Sequence, residues 1–214
     1  MRTVSDAADL TTRARIRNVA IELIGTHGYE RASVRMIAQA AGVSPALVVH
    51  HFGDKNGLRT QCNDYVTAMF IDDTGAAAGS SGTIEIIQAA LNNLDVYGPA
   101  LNYLAQMLSD DSLAADELFD GILHGTMQGM REQEAAGIIH PQGDTEGTAL
   151  LLTLFGLAPL VLRRQFARAL GEDDLTPAGI ARLTIPMLEL FTHGYYSDDA
   201  ILKATKSAME QQNG

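Results

Sequence analysis

The sequence predicts an all-α chain, and three observations carry that prediction. Apolar residues recur at three- and four-residue spacing along almost every segment, no alternating run bounded by hairpin turns occurs, and capping residues punctuate the chain at helical intervals. With 214 residues, 46% hydrophobic and 19% charged, the chain has the balance of a globular protein rather than a disordered one.

The first predicted helix covers about 10–27, with Ile16, Ala20, Leu23 and Ile24 on one face, and Gly28 supplies a left-handed stop. Two short helices follow. Ser33 caps one, which turns Val34, Ile37 and Ala38 inward; Gly42 makes the turn; Ser44-Pro45 opens the other, pairing a capping hydroxyl with a proline at the first helical position. That helix runs to about His51, and Gly53-Asp54 breaks and re-caps the chain before a longer helix from Lys55 to about Asp73. The small, polar stretch 74–82 reads as a loop. Further helices are expected near 83–96, 99–109, 112–136, 145–170, 177–195 and 198–210. Asp110-Asp111-Ser112, Thr176-Pro177 and Ser197-Asp198-Asp199 are start signals, so their acids serve capping rather than catalysis. Pro159 and Pro186 fall inside apolar helical patterns and predict kinks.

Charge divides the chain. The total is −11, but residues 1–60 carry eight Lys and Arg against five Asp and Glu, a balance of +3, which leaves −14 for the remainder. A small basic contact module on an acidic body resists indiscriminate coating of nucleic acid while keeping one attractive face. Cys62 is the single cysteine, so no internal disulfide framework exists, in keeping with a cytoplasmic location. The first ten residues are too acidic for a signal peptide. The most apolar uncharged run, 147–162, has 16 residues, short of the ~20 a membrane span needs, and no membrane partner is expected.

Two short helices joined by a glycine turn, packed on a preceding helix inside the basic module, are what a helix-turn-helix requires, although any small three-helix bundle shows the same periodicity. The residues say more. The stretch RNVAIELIGTHGYERASVRMIAQAAGVSPALVVHHFGDKNGL resembles the N-terminal domain of the TetR family of bacterial transcriptional regulators, through the apolar helix ending in HGY, the IA..AGVS turn and HHF.DK.GL. The match covers about 10–58. It implies an N-terminal three-helix helix-turn-helix domain over 1–54, linked to a larger helical domain over 55–214 that dimerises and binds a small ligand. Its implied partners are double-stranded DNA with a palindromic operator, a second copy of the chain and a small, partly apolar effector; its implied role is ligand-responsive repression.

Carried over by position, the resemblance places Ser44, Pro45, Ala46, Leu47, Val49, His50 and His51 in the recognition helix, Ser33 and Arg35 in the helix before it, and Lys55 at the start of the fourth. Arg35 can fork onto a guanine edge or clamp a phosphate, Lys55 can meet a phosphate, and Ala46 and Leu47 can touch only a thymine methyl. Many family members carry a phosphate-binding tyrosine where this chain has Val49, which leaves His50 and His51 as candidates to replace it.

Tyr97, Tyr103, Met107, Phe119, Met127 and Phe155 are candidates to line an effector cavity, since aromatic and thioether groups suit varied apolar ligands. The 145–170 helix is apolar nearly all round, and 177–195 has a similarly broad face, so Leu154, Phe155, Val161, Leu162, Leu183, Met187, Leu190 and Phe191 are candidate dimer residues. Of the stripes through Leu154/Val161 and Phe155/Leu162, one is expected to meet the partner and the other the subunit's own core. No cofactor and no metal site are expected: the histidines form no pair at helical ligand spacing, and phosphate-loop, HExxH and GxSxG motifs are absent. The alternatives are an architectural or partner-controlled DNA-binding protein without an effector and, more remotely, a small helical enzyme.

Overall fold

The computed structural model describes residues 4–70 and 94–212, and every regular element among them is helical. The ten helices are α1 (Val4–His27), α2 (Val34–Ala40), α3 (Pro45–Phe52), α4 (Lys55–Phe70), α5 (Leu94–Leu108), α6 (Leu113–Ala135), α7 (Thr145–Val161), α8 (Arg163–Leu170), α9 (Pro177–His193) and α10 (Ala200–Gln212). The expected loop at 74–82 and most of the expected helix at 83–96 lie outside the described residues. No single helix among those described is long and apolar enough to cross a membrane.

Local signals set most of the ends. Ser33, Ser44, Ser112, Asp144 and Thr176 each accept a backbone N–H with the side chain, so five helices begin where a capping oxygen stands. Gly28, at φ 80°, stops α1. Two expectations need correction. The break between 96 and 99 does not occur: α5 runs through Pro99, whose ring faces outward, and Gly98 before it lacks the Cβ that would clash with a proline in helical conformation. The bend expected at Pro159 falls instead at Leu162, where the axis turns by 76° between α7 and α8. That turn delivers Arg163 to Asp174 and Asn102.

One apolar core joins the N-terminal module to the body. Ile16, Ala20 and Ile24 of α1, Ile37 of α2, Val48 of α3 and Leu58, Cys62 and Val66 of α4 are continuous with Leu101, Leu104 and Met107 of α5. Helix α1 approaches α5 closely at Gly25: a Cβ there would lie 2.9 Å from the Tyr103 backbone nitrogen and 3.0 Å from Asn102 Cβ. Helix α7 buries its small residues, Ala149, Thr153 and Gly156, together with Leu157 and Leu160. The Thr153 hydroxyl donates to that of Thr126 at 3.2 Å, and Thr126 to the Ile122 carbonyl at 3.0 Å, so both buried hydroxyls are satisfied.

Candidate nucleic-acid interface

Helix α3 is held from behind and bare in front. Val48 and Phe52, one turn apart, enter the core, while Ser44, Pro45, Ala46, Val49 and His50 face solvent and Leu47 and His51 are half-buried. Ser44 Oγ accepts the Leu47 N–H at 3.2 Å, which fixes the first turn, and Gly53 at φ 78° ends the helix. Between α2 and α3 the Val43 N–H reaches the Ala38 carbonyl at 2.9 Å and Gly42 adopts φ 66°, so the turn is locked by backbone alone. The outcome is a short helix, apolar inward and small-sided outward, of a size that enters a major groove.

Val49 is 49% exposed, unlike Val48 and Phe52, which enter the core. It can offer DNA only an apolar contact, and His50 beside it is the exposed polar group of the helix end. Ser33 caps α2 by accepting the Met36 N–H at 3.2 Å and is itself exposed. Arg35 stands exposed one position into α2, free to reach a base edge or a phosphate.

The basic residues separate into two groups. Arg13 donates to Gln61 at 3.0 Å and lies 5.5 Å from the Phe52 ring centre; Arg17 lies 3.4 Å from that of Tyr65. Lys55 and Arg59 both face the Tyr29 ring. These four cations tie helices together, whereas Arg31 and Arg35, flanking the start of α2, remain exposed. Lys55 is half-buried, and its ammonium donates to the Tyr29 carbonyl at 2.6 Å. Sequence reasoning missed Arg31, Tyr29 and the 40% exposed Met36. The charge count holds a signal for Arg31, but Tyr29 meets Lys55 across 26 residues and leaves no local one.

Four of the effector candidates, Tyr97, Tyr103, Met107 and Phe119, belong to or pack against the one core cluster. Tyr103 and Met107 are buried in the core, and the Tyr103 hydroxyl donates to Asn63 Oδ1 at 2.7 Å, its acidity suppressed chiefly by burial. Tyr97, Phe119 and Met127 are half-buried. Phe155 is 49% exposed and stacks edge-on against Phe191 with ring centres 5.7 Å apart. A cleft of about 580 Å³ opens instead between α1, α4 and α5, with Arg15, Val19, Glu22, Tyr65, Met69 and Pro99 among its walls, and none of the six candidates lines it. Of the dimer candidates, Leu154, Phe155, Val161, Leu162, Leu190 and Phe191 are exposed, and Leu183 and Met187 are half-buried. The expectation that one of the two α7 stripes enters the subunit's own core is therefore corrected: both face outward, and a third stripe, of Ala149, Thr153 and Gly156 with Leu157 and Leu160, is the buried one. No cluster of three metal-ligating residues occurs among the described residues.

Comparison with known proteins agrees with this geometry. The family model for "Bacterial regulatory proteins, tetR family" matches residues 16–62, and that for "Tetracyclin repressor-like, C-terminal domain" matches 95–197. The chain is 34% identical over 208 residues to the HTH-type transcriptional regulatory protein RaaS of Mycobacterium tuberculosis, covering 96% of each chain. It is 26% identical over 173 residues to the HTH-type transcriptional repressor AcnR of Corynebacterium jeikeium, covering 79% of this chain and 91% of that one. The crystal structure of the TetR family transcriptional regulator PfmR from Thermus thermophilus shares the fold, with a TM-score of 0.61 at 17% identity over 92% of this chain and 100% of that one. With a helix-turn-helix of the right build at its N-terminus, an all-helical body behind it and a relative that spans nearly its whole length, the chain belongs to the tetR family of bacterial regulatory proteins: it is a DNA-binding transcriptional regulator and not an enzyme.

Proposed function

We propose that the chain is a cytoplasmic, homodimeric repressor that grips a palindromic operator with two helix-turn-helix heads and releases it on binding a small, partly apolar effector. In this reading residues 1–54 form the DNA-binding domain and 55–214 the dimerisation and ligand-binding domain. The recognition set is Arg35, Ser44, Pro45, Ala46, Leu47, Val49, His50 and His51, with Ser33 and Lys55 at the flanking helix starts. Repression is the role named for the AcnR relative, and this chain takes it over as a proposal.

The observation that carries the reading is the inverted packing of α7. Ala149, Thr153 and Gly156 face inward with Leu157 and Leu160, while Leu151, Leu154, Phe155, Val161 and Leu162 are between 44% and 58% exposed. Ile185, Leu188 and Phe191 of α9 extend the same exposure. So much contiguous apolar surface on an acidic body is what an isologous twofold interface buries. An effector then acts only through its differential affinity for the conformation in which the two heads are misplaced. Sedimentation of the free protein at micromolar concentration tests the dimer, and a wild-type monomer contradicts it. A thermal-shift screen of small apolar compounds tests the effector: stabilisation accompanied by loss of DNA binding supports it, and no shift with any compound counts against it.

A further inference from the structure

A side chain reads the major groove by matching the donors and acceptors of a base edge: arginine or lysine on guanine, asparagine or glutamine on adenine, a carboxylate on cytosine. The thymine methyl is the one group there that takes an apolar contact. Helix α3 carries no arginine, lysine, amide or carboxylate, and Val48 and Phe52 are taken up by the core. The N-terminal residues of a recognition helix are those that meet base edges, and here they are Ser44, Pro45, Ala46 and Leu47. Ser44 Oγ already accepts the Leu47 N–H at 3.2 Å, and a lone hydroxyl suits more than one base. Both histidines stand in the last turn, where their rings meet edge-on with centres 5.5 Å apart. What remains is apolar. Ala46 and Val49, three residues apart, are neighbours on the helix surface, and both are exposed, Val49 by nearly half.

We infer that Ala46 and Val49 make this chain a reader of thymine methyls: its preferred site carries A·T pairs beneath α3 that are recognised by their C5 methyl groups, while the hydrogen-bonded contact to a base edge comes from Arg35 on α2. An apolar strip that faces water gains by burial against another apolar group, and on the base edges of the groove the thymine methyl is that group. Ala46 is small enough to let the helix backbone come close, and the two methyls of Val49 extend the same surface toward the next turn. The inference rests on α3 entering the major groove of a preferred sequence, as proposed above, and is independent of the dimer and of any effector.

Uracil makes the test sharp, because it pairs with adenine as thymine does, keeps every donor and acceptor in the groove and lacks only the methyl. The full-length protein selects a duplex from a random pool, and each thymine of the recovered site is replaced singly by deoxyuridine. At more than one position the replacement is expected to weaken binding about fourfold, the effect of withdrawing one methyl group from an apolar contact. In Val49→Ala the response at one of those positions should vanish, so that the thymine and uracil duplexes bind alike, while a second position, beneath Ala46, keeps its response. Arg35→Ala should weaken binding and leave the uracil responses as they were. Val49 is exposed, so its truncation leaves the core intact, and circular dichroism checks the fold. Specific binding in which no uracil position responds by more than about twofold overturns the inference and leaves the operator reading standing. Uracil responses that are undiminished in Val49→Ala overturn it equally. Recovery of no preferred sequence overturns the operator reading, and the inference falls with it.

Discussion

Arg163 forks onto Asp174, with Nε donating to Oδ1 at 2.7 Å and Nη2 to Oδ2 at 2.8 Å, while its remaining nitrogen reaches Asn102 on α5. One guanidinium therefore fixes the bend between α7 and α8, the loop before α9 and the helix that packs on α1. The hydrogen bond from Arg163 is the main reason the Asp174 carboxyl lies below its ordinary value of 3.8, and the Leu175 N–H adds to it. A carboxyl depressed by folding stabilises the fold above its unfolded pKa, and that contribution fades as pH falls through the folded value. Asp174→Asn is expected to lower stability by less than about 1 kcal/mol at neutral pH, because the carboxylate is 64% exposed and screened, and the difference from wild type is expected to shrink at acid pH, below the ordinary carboxyl value. Urea unfolding at both pH values checks it, and a difference that persists in acid refutes the linkage.

Gly25 is expected to resist substitution even though alanine is the better helix former by about 1 kcal/mol. An alanine Cβ would lie 2.9 Å from the Tyr103 backbone nitrogen, and backbone cannot swing aside as a flexible side chain can. Gly25→Ala should destabilise by about 1–3 kcal/mol. Thermal denaturation measures it, and a raised Tm would mean that α1 and α5 part easily.

Cys62 is fully buried, and burial pushes its thiol up to about 12. Because the thiolate is the reactive form, maleimide at about pH 7.5 should label the native protein only at the rate at which it opens, and fully in denaturant. Prompt stoichiometric labelling of folded protein would place Cys62 at the surface.

The legible and illegible parts of this chain differ by the distance over which they are determined. The helix-turn-helix is written locally: Ser44 and Pro45 start α3, Gly42 and Gly53 supply the positive φ at its two ends, and Val48 and Phe52 share one face. The Lys55 to Tyr29 contact spans 26 residues, and no spacing announces it. Helix α7 misleads for another reason. Hydrophobic patterning assigns large residues to the core, but here Thr153, Gly156 and Ala149 are buried because small residues let α6 approach, and Leu154 and Phe155 are left outside. The bend fails similarly: Pro159 is the visible signal, yet the break falls at Leu162, ahead of Arg163, whose partner Asp174 lies eleven residues on.

That packing predicts how aspartate substitutions divide. Leu154→Asp and Phe155→Asp should both yield folded monomers, because both side chains are about half exposed in the subunit. Leu157→Asp and Leu160→Asp should fail to fold, since each buries an unpaired carboxylate in a closed core. Sedimentation with circular dichroism separates the outcomes, and folded dimers of Leu154→Asp and Phe155→Asp would remove α7 from the interface.

The most direct test of the proposed dimeric regulator is selection of duplexes from a random pool by the full-length protein at low salt, followed by sequencing and measurement of the stoichiometry on the winning sequence. The account predicts an enriched inverted repeat with half-sites about one helical turn apart, bound by two chains, with Arg35→Ala relaxing one position of each half-site. An enriched site without twofold symmetry that is saturated by one chain, or no enriched motif at all, would contradict it.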